Sequence, residues 1–374
     1  MSVLDTKIKP LTEGQKALVG ALKDSSADIV GIFGPTGTGK SLLAVAYAYD
    51  SLKKNSFKRV VIAKPVVDVE SGRELLMSEL GESYREIMLD YLGDLMSQYI
   101  SRQELEALVK DGQVQFADTH LLRGRTFDHT LVFLDDVQHV PVESVLEIVS
   151  RVGRGSRLII AGDPVFQSQA TVLQQVQAIR ELLLGEERAR VVDLGLADIV
   201  RPGAQRAVRL LLELKMRKRS LSESERKVVE VLRIYAPDAE VVTVLDCREL
   251  RKKFGLSESS GVPDYLVIVK QGHYGRIIGK KGERVAKAEE EIGGKLRVAE
   301  AALSLAQLVR AVHPLPWSLK AVRRADIEGN SIVLYVESGK AGPIIGQKGT
   351  YIRFVDTVMR RILGASVLVR EEGG

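Results

Sequence analysis

A glycine-rich octapeptide at residues 34–41 is the segment of this sequence best suited to chemistry. It reads Gly-Pro-Thr-Gly-Thr-Gly-Lys-Ser and fits the phosphate-binding pattern G-x-x-x-x-G-K-[ST] in full. It lies between an apolar run that predicts a strand and a pattern that predicts a helix, so its N–H groups are expected to surround a phosphate. The alternative is a strand–helix turn that binds no nucleotide. The residues predicted to bind the nucleotide are Gly34, Pro35, Thr36, Gly37, Thr38, Gly39, Lys40 and Ser41.

Two side chains of this octapeptide have distinct expected tasks. Lys40 is expected to reach the β- and γ-phosphates, and the Ser41 hydroxyl is expected to hold Mg²⁺. Further along the chain, the apolar run 131–134 is followed directly by Asp135 and Asp136. A carboxylate just past a buried strand can bind the water shell of Mg²⁺, which makes Asp135 the second candidate metal residue. Asp136 is the candidate to accept a proton from the attacking water or to orient it; the alternative is a helix N-cap or a supporting contact.

A short repeat in the last third of the chain predicts a second kind of phosphate contact. The segment IIGKKG at 277–282 returns 67 residues later as IIGQKG at 344–349. A Gly-x-x-Gly turn with a basic residue inside, between two apolar helical stretches, is suited to holding a nucleic-acid backbone. The predicted RNA-binding residues are Arg276, Gly279, Lys280, Lys281, Gly282, Arg284, Gly346, Gln347, Lys348 and Gly349. Because Gln347 replaces Lys280 and Pro343 replaces Arg276, the second loop is expected to hold phosphate less strongly.

Composition and charge favour a soluble protein with a polyanion-binding part. Apolar residues make up 45% of the 374 and charged residues 28%, and no apolar run approaches the ~18 residues of a membrane span. The only cysteine, Cys247, excludes an internal disulfide, and the N-terminus lacks a signal pattern, so a cytoplasmic location is expected. Residues 1–205 carry 23 Lys and Arg against 28 Asp and Glu, whereas 206–374 carry 31 against 21. Such a basic part is typical of nucleic-acid binders, although a solvated basic surface would also produce it.

The spacing of apolar residues predicts the elements that must position these side chains. Helices are expected at 41–54, over most of 70–109 and at 223–235, and strands at 28–33, 59–63, 113–117, 131–134, 157–161 and 240–245. Strands that are apolar throughout and separated by helices predict an α/β domain whose parallel sheet is covered on both faces. Each repeat unit is expected to run strand, short helix, Gly-x-x-Gly, longer helix, strand, which predicts two small α+β domains.

These patterns give a division into four segments. Residues 1–205 are expected to form the phosphate-binding α/β domain, and residues 206–239 a basic, partly helical linker with a basic, linker-like stretch at 215–220. Residues 240–312 and 313–374 are expected to form the first and the second small α+β domain.

Residues 7–205 resemble a PhoH-type ATPase, a family related to the core of superfamily-one helicases. The resemblance rests on motifs in the family's order: Pro10–Gln15, Lys64-Pro65, Leu122–Thr126, Asp135–Gln138 and Asp198–Arg201. It implies ATP and Mg²⁺ as cofactors and adenine recognition by Gln15. It also implies catalytic roles for Lys40, Asp135, Asp136, Gln138 and Arg201, the last as an arginine finger. Ordinary ion pairing is the alternative role for Arg123, Arg125 and Arg201.

The sequence departs from the PhoH pattern at two positions. Asp136 stands where the family has a glutamate, so the carboxylate is one methylene shorter and hydrolysis is expected to be slow or to need an extra water. After Gly162-Asp163-Pro164 the family glutamine would fall at Phe166, and the nearest glutamine, Gln167, lies one place later. This shift leaves γ-phosphate sensing by Gln167 open.

Residues 240–374 resemble a tandem pair of type-II KH domains, most like the pair in NusA, and the resemblance is most specific at the Gly-x-x-Gly loops. It implies that single-stranded RNA is held by its backbone while an apolar groove receives the bases. The aromatic content of 5% argues against a stacking platform. The alternative is a KH fold used for protein contacts.

Together these features predict an RNA-binding ATPase. Hydrolysis would drive remodelling or unwinding of RNA, or would switch the protein's affinity for single-stranded RNA. Because one P-loop core is visible, a helicase of this kind would need several copies, and a homo-oligomer such as a hexameric ring, with Arg201 acting in trans, is expected. One alternative is a non-motor binding module in which ATP is a slow switch or a structural ligand. Another is an adaptor that recruits a separate nuclease or a ribosome-related partner, since no nuclease carboxylate cluster is visible.

Overall fold

The computed structural model describes residues 2–68, 70, 73–118, 126–164 and 170–372, apart from the side chains of 170–172. Contacts divide the chain into two compact units, Met1–Ala204 and Gln205–Gly374. Within the described ranges no helix combines the length and the apolar character that a membrane span requires.

The first unit alternates strands and helices. Its elements are α1 Val3–Thr6, α2 Glu13–Lys23, β1 Ile29–Phe33, α3 Lys40–Lys53, β2 Arg59–Ala63, β3 Val66–Val67, β4 Glu74–Leu75, α4 Met77–Leu80, α5 Glu82–Met96, α6 Arg102–Lys110, β5 Val114–Ala117, β6 Thr130–Leu134, α7 Val142–Val149, β7 Arg157–Gly162, α8 Ala170–Leu184 and β8 Ala189–Asp193. Short 3₁₀ turns cover Val137–His139 and Leu196–Asp198.

A parallel sheet with the strand order β5-β2-β6-β7-β1-β8 forms the centre of this unit, as far as the structure describes it. Successive side chains of β6 point to opposite faces. Leu131 packs into a core with α3, α5 and α6, whereas Val132 packs into a second core with α7 and α8. The α/β domain with a parallel sheet covered on both faces is therefore confirmed. The carboxyl ends of β1, β6 and β7 lie side by side, because β7 pairs with both other strands.

Two local predictions for this unit were incomplete. The last strand of the sheet, β8, was not predicted, because Arg190 and Asp193 interrupt its apolar run. The stretch 70–109 was expected to be mostly helical, but β4 at Glu74–Leu75 forms a short antiparallel pair with β3, and the first helix of the stretch begins at Met77. The Met77 N–H donates to Asp118 Oδ2 at 2.8 Å, so a distant side chain determines where this helix starts.

The second unit contains two copies of one arrangement. Its elements are α9 Pro202–Arg217, α10 Glu223–Tyr235, β9 Val241–Asp246, α11 Arg248–Lys253, β10 Tyr265–Val269, α12 Tyr274–Ile278, α13 Glu283–Ile292, β11 Leu296–Glu300, α14 Leu305–Val312, β12 Val322–Glu328, β13 Ser331–Glu337, α15 Gly342–Ile345, α16 Thr350–Leu363 and β14 Ser366–Glu372. In each copy the central strand, β10 or β13, pairs antiparallel with the strand before it and parallel with the strand after the two helices. The predicted unit of strand, short helix, glycine loop, longer helix and strand is present twice.

The segment 206–239 is not a linker. Helix α9 extends into the basic stretch at 215–220 as far as Arg217, and α10 packs against β9 and α13. Val228 and Leu232 of α10 are buried together with Val244 and Val267 of the sheet. In the second copy α14 packs against β12 and α16 in the same way. Each repeat therefore packs against one helix more than expected. Helix α14 also packs against β11 of the first copy, so the boundary between the two small domains stays a prediction.

Candidate functional sites

The predicted phosphate-binding loop connects β1 to α3. Gly37 and Gly39 adopt φ values of 80° and 88°, in the left-handed region that glycine tolerates best. The Val200 N–H donates to the Gly37 carbonyl at 3.2 Å. A Cβ atom on Gly37 would lie 2.3 Å from Ala204 Cβ, so a side chain there would displace the segment behind the loop. The loop conformation thus depends on both the glycines and residues 200–204.

Lys40 is buried at the start of α3. Its Nζ atom donates to the carbonyls of Gly34 at 2.7 Å and Pro35 at 2.9 Å. Burial lowers the pKa of Lys40, while Asp163 and Asp135 oppose this shift and Lys64 adds to it. An ammonium that is short of negative partners inside a cleft is suited to binding a phosphate.

The two predicted magnesium residues are in direct contact. Ser41 Oγ donates to Asp135 Oδ2 at 2.8 Å, and the Tyr91 hydroxyl donates to the same oxygen. Asp135 is only 2% exposed. Among the described residues no group of three or more His, Cys, Asp or Glu side chains could hold a metal. One hydroxyl and one carboxylate fit a Mg²⁺ ion that takes its other ligands from phosphate and water.

Asp136 has both carboxylate oxygens engaged. Its backbone adopts φ 53° and ψ 43°, and although it precedes the 3₁₀ turn at 137–139, its side chain does not cap that turn. Lys64 Nζ forms an ion pair with Oδ2, and Gln138 Nε2 donates to Oδ1 at 3.0 Å. Gln138 Oε1 accepts from the Asp163 N–H at 3.2 Å. The structure therefore connects the ends of β6 and β7 through Gln138.

Two cleft residues were given no site role from the sequence, namely Lys64 and Tyr91. Lys64 follows β2, and its Nζ atom lies 3.8 Å from Asp135 and 5.0 Å from the centroid of the Tyr91 ring. Burial lowers the pKa of Lys64, and Asp135 opposes this. Burial also raises the pKa of Tyr91 well above its ordinary value. One feature of the sequence could have identified Tyr91 as a site residue. It places a polar hydroxyl within an apolar helical stretch, directly before the buried Leu92 of α5.

These groups line one cleft of about 390 Å³, within the range of ~300–1,000 Å³ usual for small-molecule sites. The predicted catalytic residues that line it are Lys40, Asp135, Asp136, Gln138 and Arg201. Arg201 is exposed and faces the cleft of its own chain. The structure thus brings the five predicted catalytic residues to one place.

Gln15 lies against the phosphate-binding loop and is 5% exposed. Its Oε1 atom accepts from the Leu11 N–H at 2.8 Å, and its Nε2 atom donates to the Thr38 carbonyl at 3.0 Å. Both ends of the amide are therefore used within the protein, and adenine recognition by Gln15 stays a prediction. Arg123, Arg125, Phe166 and Gln167 lie outside the described residues.

The two Gly-x-x-Gly loops have nearly the same backbone conformation. Gly279 and Gly346 both have a φ of 74°, and their ψ angles are −179° and 169°, respectively. Lys281 and Lys348 are left-handed, at φ 55° and 51°, as are the closing glycines. In each copy the loop connects two helices and its two central side chains are largely accessible. Of the paired isoleucines, Ile277 and Ile344 are fully buried, so one isoleucine per copy belongs to the core.

The surroundings of the two loops differ. Arg276 donates to the Asp238 carbonyl at 3.0 Å, and Arg284 donates to Asp238 Oδ1 and to the Arg276 carbonyl. Both arginines that were predicted to flank RNA therefore hold the turn before β9. In the second copy His313 is buried and forms a hydrogen bond with the Ile344 carbonyl at 2.9 Å. The accessible cations inside the first loop are thus Lys280 and Lys281, whereas the second loop has only Lys348.

Comparison with known proteins identifies the first unit. The family described as PhoH-like protein matches residues 7–213. The chain belongs to this family. A PhoH-like protein from Bacillus subtilis is 31% identical over 198 residues, covering 52% of this chain and 60% of that protein. A PhoH-like protein from Mycobacterium leprae is 28% identical over 200 residues, covering 52% of this chain and 55% of that protein. The matched part thus spans little more than half of these relatives.

Likenesses to solved structures are weaker. The large terminase of a thermophilic bacteriophage matches with 10% identity and a TM-score of 0.33, over 54% of this chain and 50% of the terminase. The Pif1 helicase from Candida albicans matches with 14% identity and a TM-score of 0.26, over 70% of this chain and 63% of the helicase. These values are too low to bear on function.

Membership of the PhoH-like family accounts for the first unit alone. The match ends at residue 213, so both glycine loops lie outside it. Within it, the phosphate-binding loop and the carboxylates after β6 occupy adjoining ends of the parallel sheet, as a P-loop NTPase requires. The first unit is therefore a PhoH-like P-loop domain.

Proposed function

We propose that this protein is an ATPase that couples ATP binding and hydrolysis in the first unit to single-stranded RNA held by the second unit. The observation that carries the proposal is the pair of glycine loops with matching conformation, in a chain that also has a P-loop cleft. The family membership supports nucleotide binding, and the basic charge of the second unit supports a polyanionic partner.

The cleft residues suggest how ATP would be bound. Lys40, now hydrogen-bonded to two loop carbonyls, would exchange them for phosphate oxygens. Ser41 and Asp135 would hold Mg²⁺, which supplies positive charge to the phosphates and the leaving group. Asp136 would orient the attacking water and accept its proton once its charge is no longer neutralised by Lys64. Arg201 would add charge from the edge of the same cleft; its action on a neighbouring copy in a ring remains part of the proposal.

The second unit supports RNA binding through its order of elements. Each copy runs helix, strand, strand, helix, helix, strand, with Gly-x-x-Gly between the consecutive helices; the first copy has the short helix α11 in addition, between its first two strands. A KH-type fold has this order of elements. The loop lysines and the loop N–H groups would contact phosphate, whereas the half-buried Ile278 and Ile345 beside each loop would contact bases.

The test measures RNA binding and its response to nucleotide. A labelled single-stranded RNA of mixed sequence is titrated with the full chain, and fluorescence anisotropy is recorded with Mg²⁺-ATP, with Mg²⁺-ADP and without nucleotide. A duplex RNA of equal length is the control. We expect single-stranded RNA to bind more tightly than duplex and its affinity to change with the nucleotide. An affinity that is the same for both RNAs would contradict a KH-type site.

A second candidate function is an ATP-gated binding module without motor activity. The specific observation in its favour is the engagement of both Asp136 oxygens by Lys64 and Gln138. A short carboxylate held in this way favours slow turnover, and ATP would then act as a switch of RNA affinity. The recruitment of a separate nuclease or ribosome-related partner would be compatible with this mode.

A further inference from the structure

Two lysine side chains, Lys40 and Lys64, line the same cleft. They are close enough for Lys64 to contribute to the lowered pKa of Lys40. Lys64 lies against the Tyr91 ring, and its side chain is 22% exposed. Two cations in one cleft repel each other, and an anion bound near both relieves this repulsion.

Lys64 also neutralises the charge that catalysis needs. An ammonium group paired with Asp136 Oδ2 stabilises the ionised carboxylate and so weakens it as a proton acceptor, while Oδ1 accepts from Gln138. Gln138 is fixed at its other end by the Asp163 N–H. Lys64 is on a long, flexible side chain at the end of a strand, so it is the partner that can leave.

We propose that Lys64 senses the γ-phosphate: its ammonium group moves from Asp136 to the γ-phosphate of bound ATP and thereby frees Asp136 to act on water. The inference rests on the proposed function of the cleft as the ATP site. ADP lacks the group that recruits Lys64, so Asp136 stays paired with it when ADP is bound. Lys64 thus couples recognition of the triphosphate to activation of the water-orienting carboxylate.

The test compares binding of a non-hydrolysable ATP analogue and of ADP, both with Mg²⁺, by displacement of a fluorescent nucleotide. Lys64→Met is expected to weaken the binding of the analogue at least fivefold and that of ADP less than twofold. Lys64→Arg, which keeps the charge, is the matched control and should stay close to wild type. Circular dichroism checks that each variant is folded.

A second variant tests the exchange without altering Lys64. Asp136→Asn removes the charge that competes for the ammonium group, so it should tighten the binding of the analogue severalfold and leave that of ADP unchanged. In the double variant Lys64→Met/Asp136→Asn this gain should disappear, because no ammonium is left to transfer. The difference between the effect of Asp136→Asn in the wild type and its effect in the Lys64→Met background therefore measures the transfer of the Lys64 ammonium group from Asp136 to the γ-phosphate.

The outcomes separate the inference from the function on which it rests. If the wild type binds neither nucleotide, the proposed ATP site is wrong. If the wild type binds both and Lys64→Met weakens both equally, the ATP site stands and the sensor is wrong. An Asp136→Asn gain of equal size in the wild-type and Lys64→Met backgrounds would also overturn the sensor.

Discussion

Ser41 Oγ lies 2.8 Å from Asp135 Oδ2, so the two side chains expected to hold Mg²⁺ touch across two separate strand ends. Ser41 lies in the first turn of α3, which follows β1, and Asp135 lies at the end of β6; β7 separates these two strands in the sheet. The contact shows that a site split over 94 residues of sequence is assembled by the sheet order.

We expect Ser41→Ala to remove the Mg²⁺ dependence of ATP binding. Loss of the hydroxyl leaves Mg²⁺ without one protein ligand, so the affinity for Mg²⁺-ATP should fall by about tenfold, or ~1.4 kcal/mol. Ser41→Thr keeps a hydroxyl at the same place and is the control. Isothermal titration with Mg²⁺ and with EDTA measures the effect, and an unchanged difference between the two conditions would refute the assignment.

The two glycine loops should contribute unequally to RNA binding. Lys280→Ala/Lys281→Ala removes two accessible cations, whereas Gln347→Ala/Lys348→Ala removes one, so the first pair should weaken RNA binding more. It should also lower the slope of log affinity against log salt by about 1 or more. Lys252→Ala/Lys253→Ala, two exposed consecutive lysines outside the loops, is the matched control. Equal losses for the two loop variants would contradict the ranking.

The backbone of the first loop requires glycine at position 279. At φ 74° and ψ −179° a side chain is strained, which typically costs ~1–3 kcal/mol, and a Cβ there would lie 2.6 Å from Arg284 Cγ. Gly279→Ala should therefore lower the free energy of unfolding and weaken RNA binding. Gly275→Ala, four residues earlier on a helix and with nothing within 4 Å, is the control. Chemical denaturation followed by circular dichroism compares them; similar values for both variants would show that the loop geometry is unimportant.

The stability of the second repeat should decrease in mild acid through His313. Burial lowers the pKa of His313, while its hydrogen bonds to Ile344 and Leu315 oppose the shift. Below the ordinary histidine pKa of 6.5 the unfolded chain takes up a proton that the folded protein resists, so the free energy of unfolding falls as the pH falls. Above that value this contribution no longer varies with pH.

Urea titrations at about pH 7.5 and about pH 5.5, on either side of the histidine pKa, test this contribution. The emission of Trp317, the only tryptophan, reports on the loop next to His313. His313→Gln cannot titrate, so the variant should lose less stability than the wild type between the two pH values. His139, whose pKa is also lowered by burial, lies in the first unit, and His139→Gln serves as the comparison. An equal loss of stability in the His313→Gln variant and the wild type would rule out His313 as the cause.

The sequence predicted those parts of the site that local patterns encode. The phosphate-binding loop depends on the order of eight residues, and Asp135 and Asp136 directly follow a fully apolar strand, so both were identifiable. Lys64 and Tyr91 were missed as site residues because their roles depend on which strands and helices lie next to each other. The strand β2 pairs with β6 in the sheet, which brings Lys64 to Asp136, and no local spacing records this pairing.

The second unit gives the same contrast. Both glycine loops were located from the six-residue repeat at 277–282 and 344–349. The pattern is visible in the sequence because a Gly-x-x-Gly turn between helices needs residues in the left-handed region at fixed positions. The role of α10 was missed because Lys and Arg residues before it resembled a linker, whereas Val228 and Leu232 on its inner face decide its packing. Arg276 and Arg284 were predicted to bind RNA beside the first loop, and the structure shows both donating to Asp238, which precedes them by 38 and 46 residues.

Coupling of ATP hydrolysis to RNA binding in one chain is tested by steady-state ATP turnover, measured with and without single-stranded RNA. We expect saturating RNA to raise turnover severalfold in the wild type, and we expect the Lys280→Ala/Lys281→Ala variant to lose this stimulation. Turnover that is independent of RNA, or tight ATP binding with no turnover under either condition, would contradict it.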